Sequence, residues 1–472
     1  MGAIMNSSIF KPVRRWLAAV SVAAVVTLAA PGIARSQAGL KTYTGTFADH
    51  AAYLIEVPKD WNGTLFLYSH GFVSPDTLNP PADNGDILVR LYLLSNGYAL
   101  AGSSYAGTGW AVEDALHDQI AVLDTFERLV AHPRRTIAWG HSMGGITTAG
   151  LVQNHPERFS GAISLCGVVA GSPGFWNQLL DSAFAFNTLL ASGQLQLVHI
   201  TDPVTNLANA ETILNNAQST PQGQARIALV AALVDSPGWI DPLSPEPSVD
   251  DYATLEANQF ISLGSGLDFP LYFAFRAELE KRAGGNPSWN TGVDYQKQLN
   301  LSVNRDEVES LYKQAGMSLA ADLKTLNEAA RIVADPAAVH YLTRNIALDG
   351  EIRVPVLTVH TVGDDIVNVQ NEQAYAAIVH KTGHDSLLRE TFVHRAGHCQ
   401  FTSAETIASL QALIHRLDTG EWKGADAKAL NAAASALPLA YDDIFGPGSQ
   451  LLPPAFIEYA PAPFLRPYDD VN

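Results

Sequence analysis

The stretch TIAWGHSMGGITTAG, residues 136–150, constrains the fold more than any other part of the chain. An apolar strand pattern, 136–139, runs into a turn with glycine at 140, 144 and 145, and a helix of small residues runs out of it. Small residues on either side let the backbone turn sharply from strand to helix, and they leave Ser142 at the apex with its hydroxyl at the sheet edge. The helix start that follows favours negative charge developing nearby. Gly140-x-Ser142-x-Gly144 is a weak pattern alone, and a glycine-rich turn with a structural serine is the plainer reading; the surrounding chain has to decide between them.

Short β-rich runs alternate with amphipathic helical segments through the first third of the sequence. AAYLIEVP, TLFLYSHGF, YALAGSSY and RTIAWGH read as strands, whereas DILVRLYLLSNG and VEDALHDQIAVLDTFERLVAH read as helices. Apolar runs of about four to eight residues followed by amphipathic stretches predict βαβ units and a mostly parallel sheet. Two further strands, 161–169 (GAISLCGVV) and 354–360 (VPVLTVH), stand far apart; LLRETFVH and the helix SAETIASLQALIHRL close the pattern. The interval between them is too long for a loop and reads as largely helical, so an inserted subdomain is expected over 171–350. Within it, NRDEVESLYKQAG predicts a helix with a capping box from Asn304 to Glu307, an apolar face of Val308, Leu311, Tyr312 and Ala315, and a stop at Gly316. The core is expected over 39–170 and 351–420, and 421–472, rich in Pro, Ala and aromatics, as an extended tail packed on it.

Residues 1–38 place Lys11, Arg14 and Arg15 ahead of an apolar run and small residues near a plausible cut, the pattern of a cleaved export signal. The run is shorter than the roughly 20 residues needed to span a bilayer. No other segment reads as a transmembrane helix, so a mature chain without membrane insertion is expected, periplasmic or extracellular. Loss of the leader takes the formal charge from −18 to −22. So acidic a chain repels nucleic acid, which is not an expected partner.

GHSMGG after a strand, with SHGF at the end of an earlier one, resembles the α/β-hydrolase family over about 39–170 and 351–420. The resemblance implies an α/β fold with a mostly parallel, doubly wound sheet and a large helical cap between the strand after the nucleophile helix and the acid-bearing strand. It implies the order nucleophile, acid, histidine. Ser142 is the nucleophile candidate, which needs a base in hydrogen-bond reach. In HTVGDDIVNV the acid is Asp364, three residues before Val367, with Asp365 the alternative. In FVHRAGHCQF, His394 closes a strand and His398 follows Gly397 in the loop where the family carries its base. The spacing of the two histidines also occurs in zinc sites, but the HExxH glutamate is missing and no metal is expected. The oxyanion donors would be the backbone N–H groups of Met143 and Phe72, unless His70-Gly71-Phe72 is merely a strand-end turn.

The long cap and the His398-Cys399 pair resemble the tannase and feruloyl esterase branch, in which a cysteine before the nucleophile pairs with one after the histidine. His141 stands where that first cysteine would be. The layout, with Cys166 near the end of the next strand, implies a Cys166–Cys399 disulfide; two buried thiols are the alternative. Tyr105 and Trp110, in SSYAGTGW, are candidate pocket residues, and the aromatics at 268–275, Phe175, Trp176, Trp239 and Trp289 read as lid packing. The expectation is an exported serine esterase acting on a small-molecule, apolar or aromatic ester, without a dissociable cofactor. A peptidase or amidase of the proline-aminopeptidase kind is the alternative; it needs cap carboxylates for a substrate amine, for which Asp250, Asp251 and Glu256 are available. A non-catalytic binding module on the same fold is the third reading.

Overall fold

Strands in the middle of a parallel sheet are covered on both faces, so they read as near-continuous apolar runs. In the computed structural model, which describes residues 39–468 apart from 445 and 447, β3 (Thr64–Ser69), β5 (Arg135–His141), β6 (Gly161–Leu165) and β7 (Val356–Gly363) are such strands. With β1 (Lys41–Thr46), β2 (Ala52–Val57), β4 (Ala99–Ser103), β8 (Leu388–Ala396) and β9 (Phe456–Ile457) they form one sheet in the order β1-β2-β4-β3-β5-β6-β7-β8-β9. From β4 to β8 all neighbours are parallel; the two outer pairings at one edge, and β8 with β9 at the other, are antiparallel. The expected leader lies outside the described residues.

Helices cover both faces. α1 (Ile87–Ser95) and the helix Ser403–Thr419 pack Val89, Leu93, Ile407 and Leu410 against Phe66, Trp139, Ile163 and Leu357. On the other face α2 (Val112–Leu129), α3 (Met143–Asn154) and the helix Gln370–Thr382 pack Val122, Phe126, Leu151 and Tyr375 against Leu65, Leu67, Ala138 and Val356. Each fully buried Phe, Leu or Ile in these layers stabilises the fold by about 1.5–3 kcal/mol. The result is the doubly wound arrangement, in which the C-terminal ends of β3, β5, β7 and β8 meet along one edge.

Between β6 and β7 the chain is helical, from α4 (Gly171–Leu189) through α5 (Pro203–Gln218) to a last helix, Pro336–Arg344. Phe186, Phe269, Phe273, Tyr295 and Tyr312 lie at its centre, and the same apolar cluster continues into Tyr105, Trp110, Met143 and Ile146 of the sheet domain. The inserted helices are therefore seated on the site edge by a shared core. The expected capping box is absent: the helix is Arg305–Gln314, but Asn304 sends its side chain to Ser236 O (2.7 Å), and Glu307 is buried accepting from Gln259 (3.0 Å). Tertiary partners have outbid the local cap.

The tail also departs from the expectation. It begins with a helix, Ala427–Ser435, whose N-cap Asp426 accepts from Ala429 N (2.9 Å), and only then extends to add β9 to the sheet edge. An alanine-rich stretch with an Asp cap is a good helix former; the prolines belong to the part beyond it. Further on, Arg466 pairs with the buried Asp181 of α4, and Phe464 N donates to Gln373 Oε1 (3.0 Å). No helix among the described residues is long and apolar enough to cross a membrane.

Candidate active site

Ser142 sits between β5 and α3 with φ +58° and ψ −123°, a backbone conformation that costs of order 1–3 kcal/mol for a residue with a side chain. Its neighbours show why the corner needs glycine. A methyl group on Gly144 would stand 1.9 Å from Ser69 O, and one on Gly140 would stand 2.5 Å from Gly144 O and Ser69 O. The turn is pinned by Ser142 N donating to Leu165 O (2.9 Å) and Gly145 N to Ser142 O (2.8 Å). Met143 opens α3, so its N–H has no partner within the helix.

His398 lies in the loop after β8, with Nε2 2.8 Å from Ser142 Oγ and Nδ1 2.8 and 2.9 Å from the two oxygens of Asp364. An Nδ1–H given to Asp364 leaves Nε2 free to accept from the serine hydroxyl. Burial alone would raise the Asp364 carboxyl. The charge of His398, together with the hydrogen bond from His360, holds it well below the usual carboxylate range. A register shift between Thr361 and Gly363 in β7 aims Asp364 at this loop. Gly397 N donates to Gly363 O (2.8 Å) and Thr361 Oγ1 donates to Gly397 O (2.8 Å), so the acid and histidine loops are tied to each other.

His360 is the residue that the sequence reading passed over, as the last residue of an apolar strand. It is fully buried, with Nδ1 2.8 Å from Glu372 Oε1 and Nε2 2.7 Å from Val367 O, and it lies 3.4 Å from Asp364. Burial would push its ring down, but Asp364 and Glu372 raise it to about 10, so it is an imidazolium buttressing the acid loop. A histidine four residues ahead of a candidate acid is the signal that could have found it. His141, by contrast, is pushed down to about 4 by burial and by His398; it is neutral beside the serine and contacts Tyr68 OH (3.3 Å).

The loop after β3 runs past the serine: a methyl on Gly71 would be 3.3 Å from Ser142 Cβ, and Phe72 follows. His70 Nδ1 donates to Gly71 O (2.7 Å), its ring stacks on Tyr105 (3.9 Å between centroids), and Tyr105 OH donates to His70 O (3.0 Å). Tyr105 and Trp110, expected in a pocket wall, are instead buried packing residues. Tyr105 props the Phe72 loop, and Trp110 stacks on Phe175 (5.5 Å) with Nε1 donating to Ser172 Oγ (3.3 Å). His394, expected to close the strand, lies inside β8, two residues before its end; its N donates to Ala455 O (2.8 Å), and its ring meets Glu246 (3.0 Å) and Trp239 (5.1 Å) of the insertion.

Cys166 and Cys399 are joined in a disulfide with Cα atoms 5.3 Å apart, and Cys399 Sγ is 3.3 Å from His398 Nε2. The bridge fastens the histidine loop to the end of β6, and both residues have positive φ. Cys399→Ser is expected to lower stability by about 2–5 kcal/mol. Reduction of the wild type is expected to lower activity before the fold melts, as followed by activity and circular dichroism over one dithiothreitol titration; full activity in Cys399→Ser would refute a role in holding His398.

The Asp365 carboxyl accepts from Ser262 Oγ (3.3 Å), whereas His398 Nδ1 is bonded to Asp364. With Gln178, Asp268 and Tyr272, Asp365 lines a cavity of about 10 Å³ against the insertion, room for about one water. Burial first, and then the Asp364 charge, push the Asp365 carboxyl up to about 6. A carboxyl whose folded pKa lies above its unfolded value takes away stability as pH rises from about 4 through 6, and the cost is constant above that. Asp365→Asn is therefore expected to be more stable than wild type at pH 8 by about 1–2 kcal/mol, and to show little gain at pH 4. Equal changes in Tm at the two pH values would refute this.

Similarity to known proteins runs in the same direction. A model of the prolyl oligopeptidase family matches residues 91–172, from within α1 through Ser142 to the start of α4. The o-phthalyl amidase of Xanthobacter agilis is 30% identical over 429 residues, spanning 83% of this chain and 90% of that protein. This chain belongs to the o-phthalyl amidase family. Its sheet order and strand-turn-helix corner are those of the α/β-hydrolase superfamily, and it is a hydrolase of that superfamily. A match to 83% of the chain takes in part of the inserted helices as well as the sheet, so the family likeness extends beyond the hydrolase core. Solved structures similar to it include an esterase from Aspergillus oryzae (14% identity, 81% of this chain, 80% of that one, TM-score 0.42). Others are feruloyl esterase B from the same organism (13%, 81% and 81%, 0.40) and the rice cell wall degrading esterase LipA from Xanthomonas oryzae (14%, 80% and 89%, 0.35).

Proposed function

We propose that the protein is an exported serine hydrolase that cleaves carboxylic esters through an acyl-enzyme. The observation that carries this reading is the unbroken hydrogen-bonded run Ser142–His398–Asp364 at a strained strand-to-helix corner. In the proposed mechanism Ser142 Oγ attacks the acyl carbonyl while His398 Nε2 takes its proton, and Asp364 stabilises the imidazolium through Nδ1–H. The tetrahedral oxyanion is received by the N–H groups of Met143 and Phe72, each such donor contributing about 3–4 kcal/mol. His398 returns the proton to the leaving oxygen, water enters, and the same steps in reverse order free the acid. Every group required is a side chain or backbone N–H of this chain.

The o-phthalyl amidase relative favours a second reading, in which the leaving group is an amine and the acyl group aromatic. The mechanism is unchanged, His398 then protonating nitrogen. Of the carboxylates suggested for binding a substrate amine, Asp251 caps the helix Tyr252–Ser265, Asp250 accepts from Ser248, and Glu256 is buried against Gln218. A fluorophosphonate probe is expected to label wild type at Ser142 and to leave Ser142→Ala unlabelled; absence of labelling would favour the binding-module reading. Aryl acyl p-nitrophenyl esters compared with the anilides of the same acids separate the two enzymatic readings: ester turnover without anilide turnover supports the esterase.

A further inference from the structure

The run from Ser142 through His398 to Asp364 does not end at the acid. His360 of β7 and Glu372 of the helix Gln370–Thr382 carry it on, so the order of side chains is serine, histidine, aspartate, histidine, glutamate. Asp364, His360 and Glu372 are all buried.

The contacts fix where the protons lie on His360. Its Nε2 is 2.7 Å from Val367 O, and a carbonyl oxygen only accepts, so Nε2 carries a hydrogen. Its Nδ1 is 2.8 Å from Glu372 Oε1, and a carboxylate also accepts, so Nδ1 carries one too. A ring protonated at both nitrogens is a cation. Val367 completes the fit, since its N–H goes to Asp364 Oδ1 (2.8 Å) while its O takes the Nε2–H. The Asp364 carboxylate thus has His360 Nε2 at 3.4 Å on one side and His398 Nδ1 at 2.8 Å on the other.

The charges decide what this does. Asp364 and Glu372 are negative and His360 positive, so the buried group carries one net negative charge while His398 is neutral. It becomes neutral once His398 has taken the serine proton. Without the cation the group would carry two net negative charges in a low-dielectric interior, and would draw a proton onto His398 before any substrate arrived. A base that is already protonated cannot activate Ser142. The other titratable groups around the pair are Asp365 in the acid loop, Tyr375 on the helix of Glu372 and Glu390 in β8. Burial, and then Glu372, push Glu390 up to about 8; none of these groups supplies a positive charge.

We propose that His360, anchored by Glu372, is a positioning residue for the hydrolysis: its charge offsets Asp364 so that His398 stays an unprotonated base in the resting enzyme, and its ring holds the acid loop at Val367. The proposal rests on Ser142, His398 and Asp364 being the reacting run. No proton passes through His360; it acts by charge and by contact.

The test is the pH dependence of kcat/KM for p-nitrophenyl acetate, whose rising limb reports the base losing its proton. His360→Gln is expected to move that limb up by about 1 pH unit, with KM within about twofold of wild type. Adding Glu372→Gln removes the second carboxylate and restores one net negative charge, so the limb of the double variant is expected to return toward its wild-type position. Loss of a merely structural contact would not be rescued by losing its partner as well. An unmoved limb in active His360→Gln, or a double variant with its limb at or beyond that of the single one, would overturn the proposal. Should His360→Gln fail to fold, NMR of the imidazole nitrogens in wild type decides: both nitrogens of His360 are expected to be protonated at neutral pH, and a ring carrying one proton would overturn the proposal. Wild type that neither hydrolyses the ester nor takes a fluorophosphonate at Ser142 would overturn the underlying reading, and the proposal with it.

Discussion

Ser142→Ala is expected to lower kcat for p-nitrophenyl acetate by about a millionfold, because the hydroxyl supplies the electron pair and His398 has no other partner to activate. A weak residual rate over the uncatalysed reaction is also expected, since the N–H groups of Met143 and Phe72 and the substrate site survive the change. The measurement is burst-phase and steady-state kinetics on wild type and variant. Wild type should show a burst where deacylation is the slower step, and the variant none. A variant that kept a hundredth of wild-type turnover, with its fold intact by circular dichroism, would remove Ser142 from the mechanism.

The second large effect separates neighbouring carboxylates. Asp364→Asn is expected to cost about ten-thousandfold in kcat, since an amide facing Nδ1 selects the wrong imidazole tautomer. Asp365→Asn is expected to stay within about tenfold of wild type, because its carboxyl contacts Ser262 rather than His398. Comparable losses in the two variants would mean that the pair acts as a unit. A larger loss in Asp365→Asn would transfer the role to Asp365.

The corner at Ser142 was legible in the sequence because it depends on local sterics: no residue other than glycine fits against Ser69 O at 144, and that requirement is written at one position. The parallel sheet was legible for a similar reason, as two-sided burial leaves mostly apolar, buried runs at β3, β5, β6 and β7. What could not be read depends on contacts between distant segments. His360 looks like any strand residue until Glu372 and Val367 are brought round it. Asn304 and Glu307 have the spacing of a capping box, but Ser236 and Gln259 compete for them from other elements. Tyr105 and Trp110 occupy a loop at the right sheet edge, and only the packing of His70 and Phe175 shows that both are enclosed. The helix Ala427–Ser435 is a different case, where composition read as a tail concealed an ordinary cap and propensity.

The position of the disulfide in the chain has a consequence for covalent connectivity. Cys166 precedes the inserted helices and Cys399 follows them, so the bond closes a ring that contains the whole insertion. Ser142 precedes the insertion in the chain, outside the ring, and the pair Asp364 and His398 follow it, inside the ring. A single peptide-bond cleavage anywhere in the insertion therefore leaves the two halves of the site in one covalent molecule. Such a nicked chain would run as two fragments on a gel only after reduction, and the insertion can lose its backbone continuity without the serine and the histidine becoming separate polypeptides.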